Sequence, residues 1–140
     1  MRELSADEVI THASLALGDV DTLQAQIWRV ERLDHPDRVY YVVVFGDEQA
    51  AIAVAAMDAY TGELLSAARL PGVRAHLSID TRQALQIAGL ADTAIAKLVW
   101  RPCRASLSPL YPIWQVSSVA GTVFIDQNGG RWDRLSPASA

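Results

Sequence analysis

Three histidines, one cysteine and a scatter of carboxylates are the groups in this chain with types suited to acid, base, nucleophilic or metal chemistry. A zinc or transition-metal site needs three or four His, Cys or carboxylate ligands at set spacing. His12, His35 and His76 stand apart from one another and from such partners, so no metal is expected. His12 falls midway along a helical stretch, opposite Val9 and Ala13, and reads as a solvated helix residue. His35-Pro36 reads as a turn. Arg101 and Arg104 flank Cys103 and would lower its thiol pKa if they faced it, with His76 as the base such a nucleophile requires. Nothing in the sequence orients that pair, and Cys103 is read as a small hydrophobe. Asp7-Glu8, Asp19/Asp21 and Asp47-Glu48 lie at helix starts or turns, where capping accounts for them. Asp58 and Asp126 each stand at the mouth of a turn and are expected to accept backbone amides within it. No catalytic constellation emerges, so the chain reads as a non-enzyme without a cofactor.

The least regular stretch runs from Arg101 to Trp114. Three prolines withhold backbone donors, two arginines add charge, and Tyr111 and Trp114 add amphipathic aromatic surface. Such a segment either covers a sheet or presents a partner-binding edge. The candidate binding residues are Arg101, Arg104, Leu110, Tyr111 and Trp114. Trp114 alternates with Val116 and is expected to be buried, which leaves Leu110 and Tyr111 as the exposed candidates.

Composition limits the kind of partner. With 140 residues, 51% hydrophobic and 20% charged, the chain holds one ordinary domain or two small units with a core. Twelve basic against sixteen acidic residues give a net charge of −4, which does not suit nucleic acid. The longest apolar run, residues 39–45, falls far short of the roughly 20 residues of a transmembrane helix. Met1 to Glu8 include three acids and lack an apolar signal core. A cytoplasmic location is expected for the chain as given, or an extracytoplasmic one if a leader has been removed. A single cysteine excludes an internal disulfide and favours a reducing compartment.

The elements that position these residues come in a repeated order. Asp58-Ala59-Tyr60-Thr61-Gly62 is echoed by Asp126-Gln127-Asn128-Gly129-Gly130 at an offset of 68. Ile27-Trp28-Arg29 is echoed by Val99-Trp100-Arg101 at 72, and Tyr41 by Trp114 at 73. Two units follow, about 4–70 and 77–136, with an unordered tail at 137–140. Each opens on a helix. Ser5-Ala6-Asp7-Glu8 is a capping box before Val9, Ile10, Ala13, Ala16 and Leu17, which predicts a helix over about 6–17 stopped at Gly18. Asp80 and Gln83 repeat that logic before Ala84, Leu85, Ala88 and Gly89. Strands are then expected near 23–33, 38–45, 50–58 and 63–69, and near 92–101, 112–119, 122–126 and 131–135. Such short connections make neighbours antiparallel. Gly62 and Gly130 are expected to end three-residue hairpin loops in the left-handed conformation. Asp58, Gly62, Asp126 and Gly130 are thus structural turn residues. The fold class is α+β, two tandem helix-plus-meander units sharing a core.

The stretch Val54-Ala55-Ala56-Met57-Asp58-Ala59-Tyr60-Thr61-Gly62-Glu63-Leu64-Leu65 resembles the PepSY module, in which a hydrophobic strand ends in Asp, a Thr-Gly turn follows, and an acidic residue opens the next strand. Phe124-Ile125-Asp126 enters a similar turn, with Gly129 in place of Thr61 and Arg131 in place of Glu63. The resemblance implies a cystatin-like fold and a role as a non-catalytic interaction or peptidase-inhibitory module, with a peptidase or another protein as partner. The alternative is a small-ligand binder with an apolar pocket between helix and sheet, lined by Trp28, Trp100 and Trp114.

Overall fold

The computed structural model describes residues 2–18, 24–35, 37–47, 49–91 and 93–137. Asp19, Asp21, Pro36, Glu48, the first residues of the strands expected from 23 and 92, and the tail beyond 137 lie outside the described residues. The fold is α+β, and the chain divides into two compact units, Met1–Glu31 with His35–His76, and Arg32–Asp34 with Leu77–Ala140.

The first unit opens on α1 (Ala6–Leu17). Its capping box is complete, with the Glu8 amide donating to Ser5 Oγ at 3.2 Å and the Ser5 amide to Glu8 Oε1 at 3.1 Å, an arrangement worth about 1 kcal/mol. The last turn carries no basic residue of its own. Arg69 supplies that charge, its Nη2 donating to the Leu17 carbonyl at 2.7 Å and the Gly18 carbonyl at 3.3 Å, where a cation favours the negative end of the helix dipole.

Four antiparallel strands follow, β1 (Ala25–Arg32), β2 (Val39–Asp47), β3 (Ala50–Asp58) and β4 (Leu64–Arg69), in the order β4-β3-β2-β1. Val9 and Ala13 of α1 sit on Val43, Phe45, Ala53, Ala55 and Met57, all fully or almost fully buried. Alanines at 53 and 55 let the helix approach, while Phe45 and Met57 fill the flanks at about 1.5–3 kcal/mol each. Val42, Val44, Val54 and Ala56, on the opposite face, are buried too. Burial on both faces is why residues 39–45 read as a near-continuous apolar run instead of alternating.

The second unit opens on α2 (Thr81–Ala88), again inside a complete capping box. The Gln83 amide donates to Asp80 Oδ1 at 2.8 Å and the Asp80 amide to Gln83 Oε1 at 2.9 Å. Its strands are β5 (Ile95–Trp100), β6 (Ile113–Ser118), β7 (Gly121–Ile125) and β8 (Arg131–Trp132), in the order β5-β6-β7-β8. β8 is shorter than the stretch 131–135 expected for it. The chain bends after Trp132, buries Leu135 and brings Pro137 into a bridge with Cys103, so Pro137 is paired and not part of a loose tail.

The ladder corrects one part of the internal alignment. Tyr41 stands across from Arg29 and Met57, and Trp114 across from Leu98 and Ile125. Arg29 and Leu98 therefore hold corresponding rows, and Trp28 and Trp100 do not. Side-chain alternation with period 2 sets the register, and a shared Trp-Arg dipeptide three residues out of step carries no weight against it.

The two hairpin turns also differ. In the first, the Asp58 amide donates to the Glu63 carbonyl at 2.8 Å, closing a four-residue loop whose left-handed residue is Gly62, φ 74°. A Cβ there would lie 2.9 Å from the ring of His12, which packs against this turn. Gly62→Val is expected to cost more than about 1 kcal/mol, from the positive φ and from displacement of that ring. A denaturation midpoint equal to the parent's would show that the turn tolerates a side chain. In the second hairpin the Asp126 amide donates to the Gly130 carbonyl at 3.0 Å, and the left-handed residue is Gly129, φ 84°. Gly130, expected to be left-handed, is not. It is small for another reason, since a Cβ on it would lie 2.6 Å from Asp126 Oδ2.

Candidate functional site

The Pro-rich stretch between β5 and β6 is tied down by serines where prolines offer no donor. The amides of Cys103 and Ser106 donate to each other's carbonyls at 3.1 Å, and the Arg104 amide donates to the Ser136 carbonyl at 3.1 Å. The Ser106 hydroxyl lies 2.7 Å from the Tyr111 carbonyl, Ser108 Oγ accepts from the Leu110 amide at 3.2 Å, and Gln127 Nε2 donates to the Pro112 carbonyl at 3.0 Å. Backbone held at so many points presents its outward side chains with little ordering entropy left to lose on binding.

These ties sort the five candidate residues. Trp114 is 6% exposed and its indole N–H donates to the Ile79 carbonyl at 2.7 Å, so it belongs to the interior. Leu110, expected outside, is also 6% exposed. The turn over Ser108–Tyr111 carries Leu110 and Pro112 inward and Tyr111 outward. Tyr111 is 42% exposed and Arg104 is exposed. Arg101 is half-buried, and its Nε is fully buried with no hydrogen-bond partner among the described residues. Leu107, at 74% exposure, is an outward apolar residue that the sequence reading passed over. A leucine between two serines in a Pro-rich loop was the available signal.

The recurring aspartates are occupied. Asp58 Oδ1 accepts from the amides of Tyr60 at 2.8 Å and Thr61 at 2.9 Å, and Arg38 Nη1 lies 3.8 Å from Oδ2. Partial burial pushes the Asp58 carboxyl up, but the Thr61 and Tyr60 amides, the Thr61 hydroxyl and the Arg38 charge outweigh it, and the net shift is downward. Asp126 is buried. Its Oδ1 accepts from Asn128 N at 2.8 Å and Gly130 N at 2.9 Å, and its Oδ2 from Trp132 Nε1 at 2.8 Å.

A charged cluster in the first unit had no counterpart in the sequence reading, because its members lie far apart in the chain. Glu3 accepts from Arg29 through both oxygens, at 3.0 Å and 3.1 Å, and from the Tyr41 hydroxyl at 2.9 Å. Glu31 lies 3.4 Å from Arg29. The Arg29 hydrogen bond holds the Glu3 carboxyl below its ordinary 4.5, against a weaker desolvation effect. Burial, with the bond to Glu3, pushes Tyr41 above its ordinary 10.0.

A carboxyl depressed in the folded state contributes stability that is present above its unfolded pKa and lost as pH falls through the folded one. Stability is therefore expected to hold from neutrality down to near 4.5 and to decline below it. The raised tyrosine acts at the other end, contributing below 10.0 and losing that contribution as pH rises through its folded value. Glu3→Gln should shallow the acid limb and Tyr41→Phe the alkaline one, each costing at most about 1 kcal/mol at neutral pH because the pair is partly solvated. Melting temperature against pH checks this, and an acid limb identical in Glu3→Gln and the parent would remove the cluster as its source.

His12 rests on the Gly62 turn, Cys103 is fully buried with Sγ 3.7 Å from the Ser106 carbonyl, and no group of three metal-ligating side chains forms among the described residues. Trp28 pairs with Val42, on the sheet face turned away from α1, and so does not line a helix–sheet pocket. No helix among the described residues is long and apolar enough to cross a membrane. In comparison with known proteins, the chain matches no family model, no curated sequence and no solved structure.

Proposed function

We propose that this chain is a non-catalytic protein-interaction module of PepSY type, two tandem cystatin-like units on a shared core, whose partner is a peptidase or another protein. The observation that carries the interaction reading is the loop 101–112. Its backbone is pinned at many points and its Cys103 and Leu110 are turned inward, yet it holds Leu107 and Tyr111 outward. Apolar and aromatic side chains on a rigid loop are what interface anchors require. The PepSY component rests on the strand-Asp-turn-Gly hairpin at residues 54–65 and its looser echo at 124–131.

Titration of the chain against a panel of secreted metallopeptidases tests the inhibitory form of this function. Stoichiometric inhibition, relieved by Leu107→Asp with an unchanged melting temperature, is the expected result. A panel left untouched, together with a small apolar compound that raises the melting temperature, would overturn it in favour of a ligand-binding domain. The shared core rests on size, since units of roughly 65 residues bury too little surface to be robust alone. Residues 1–76 and 77–140 expressed separately should each fail to melt cooperatively, and two cooperative transitions would sink that part.

A further inference from the structure

β4 closes the sheet of the first unit on one side. Among the described residues it has a neighbouring strand, β3, along one edge only. The Leu70 amide donates to the Ile52 carbonyl at 2.9 Å, so alternation along the antiparallel ladder turns the N–H and C=O of Ala68 and Ser66 towards β3 as well. Those of Ala67 and Arg69 point the other way, and both residues are exposed. Residues 64–68, Leu-Leu-Ser-Ala-Ala, carry no charge and no proline, and Leu65 is 43% exposed. Charge, proline and bulges protect edge strands from pairing, and here they stand only at the two ends. A bulge opposite Ala56 and Met57 makes Leu65 an extra residue at the start. Pro71, which has no N–H to offer, ends the stretch. The Arg69 guanidinium is drawn away to the end of α1.

Charge at the two ends of this edge selects the strand that fits it. Glu63 stands just before β4. Arg74 stands beyond it, where its carbonyl accepts from the Ala51 amide at 3.0 Å and keeps the residue beside β3. Both side chains are exposed and in no ion pair among the described residues. β4 separates them by roughly 20 Å, too far for them to meet within one copy. An antiparallel strand of the same sequence reverses their order and sets acid against base at both ends. The free stretch, bounded by the bulge and Pro71, centres on Ala67. Pairing about that residue sets Ala67 across from its own copy and Leu65 across from Arg69, and Glu63 falls between Arg69 and Arg74 of the second copy.

We propose that β4 pairs with β4 of a second copy of this chain, antiparallel about Ala67, in a two-fold dimer whose sheet runs on through the contact. Backbone hydrogen bonds at Ala67 and Arg69 hold the strands, the small side chains of Ser66, Ala67 and Ala68 let them approach, and Glu63 with Arg74 sets their direction. This surface belongs to the first unit and loop 101–112 to the second, so it stands apart from the interaction reading of that loop. The contact is narrow, one strand from each copy against the roughly 800 Å² per partner of a standard interface. A dissociation constant of about 10–100 μM is therefore expected.

Sedimentation velocity of the full chain from about 5 to 500 μM, a range that brackets this constant, tests the proposal. A reversible monomer–dimer equilibrium is the expected result. Ala67→Pro withdraws the outward N–H and touches no bond to β3, so it should abolish the dimer and leave the melting temperature close to the parent's. Glu63→Arg, at an exposed position, should weaken the dimer about tenfold at low ionic strength. Glu63→Arg combined with Arg74→Glu should restore it, a rescue that residues at opposite ends of one strand can produce only between copies. A chain that stays monomeric throughout the range overturns the proposal, as does a dimer that Ala67→Pro leaves intact. A dimer lost in Leu107→Asp but kept in Ala67→Pro moves the contact to the loop and overturns it too. Failure of the charge exchange to rescue Glu63→Arg overturns the antiparallel pairing about Ala67.

Discussion

Trp114→Ala is expected to cost about 3–5 kcal/mol and to lower the melting temperature by roughly 10 °C or more, as removal of a large core aromatic does. Two losses combine. The ring is 6% exposed in the row Leu98, Trp114, Ile125, so truncation opens a cavity that strands on both sides cannot close. The indole N–H also donates to the Ile79 carbonyl at 2.7 Å, directly before the Asp80 cap of α2, so its removal loosens the seating of that helix. Trp114→Phe keeps most of the volume and loses only this bond, and about 1 kcal/mol is expected. Thermal and urea unfolding of the two variants measures the difference. An alanine variant as stable as the parent would mean that Trp114 is not interior, and would return it to the set of binding residues.

Asp126→Ala should cost about 3 kcal/mol, more than Asp58→Ala at about 1–2 kcal/mol. Both carboxylates close a hairpin, but their surroundings differ. Asp126 is buried and satisfies three donors, the amides of Asn128 and Gly130 and the indole of Trp132, each left with no acceptor once the side chain is gone. Asp58 is partly exposed and takes the amides of Tyr60 and Thr61, which water can reach when it is removed. Asp126→Asn should fall between parent and alanine, since its amide nitrogen faces either the two backbone N–H groups or the indole. Gly130→Val should reproduce much of the Asp126 effect by displacing the carboxylate next to it. Equal losses at the two aspartates, read as unfolding free energies, would refute the ranking by burial.

Local signals carried far in this chain. Both capping boxes, the ends of α1 and the position of each strand to within a few residues could be read from neighbouring side chains, because caps and turns are contacts over two to four residues. The same holds for the turn-closing role of the aspartates, whose backbone-amide partners lie within four residues. It failed where one residue of slip matters. The sequence puts Gly130 in the left-handed position that belongs to Gly129, and the shared Trp-Arg dipeptide aligns Trp28 with Trp100, although the pairing of Arg29 with Tyr41 and of Leu98 with Trp114 makes Arg29 and Leu98 the corresponding positions of the two units. A dipeptide resemblance and a strand register are different quantities, and only cross-strand pairing fixes the second.

The candidate site divides in the same way. That residues 101–114 form an unusual segment with arginines and aromatics is written in its composition. Which side chains point outward is not: Leu110 went in, Leu107 out, and Arg101 was left with a buried, unpartnered Nε. The Glu3, Arg29 and Tyr41 cluster was likewise invisible, since its members are brought together across as many as 38 residues. Short-range hydrogen bonding and side-chain periodicity act between near neighbours and are legible in order along the chain. Facing, burial and ion pairing arise between segments whose separation in sequence carries no energy of its own, so they exist only once the sheet has set its register and the helix has settled on it.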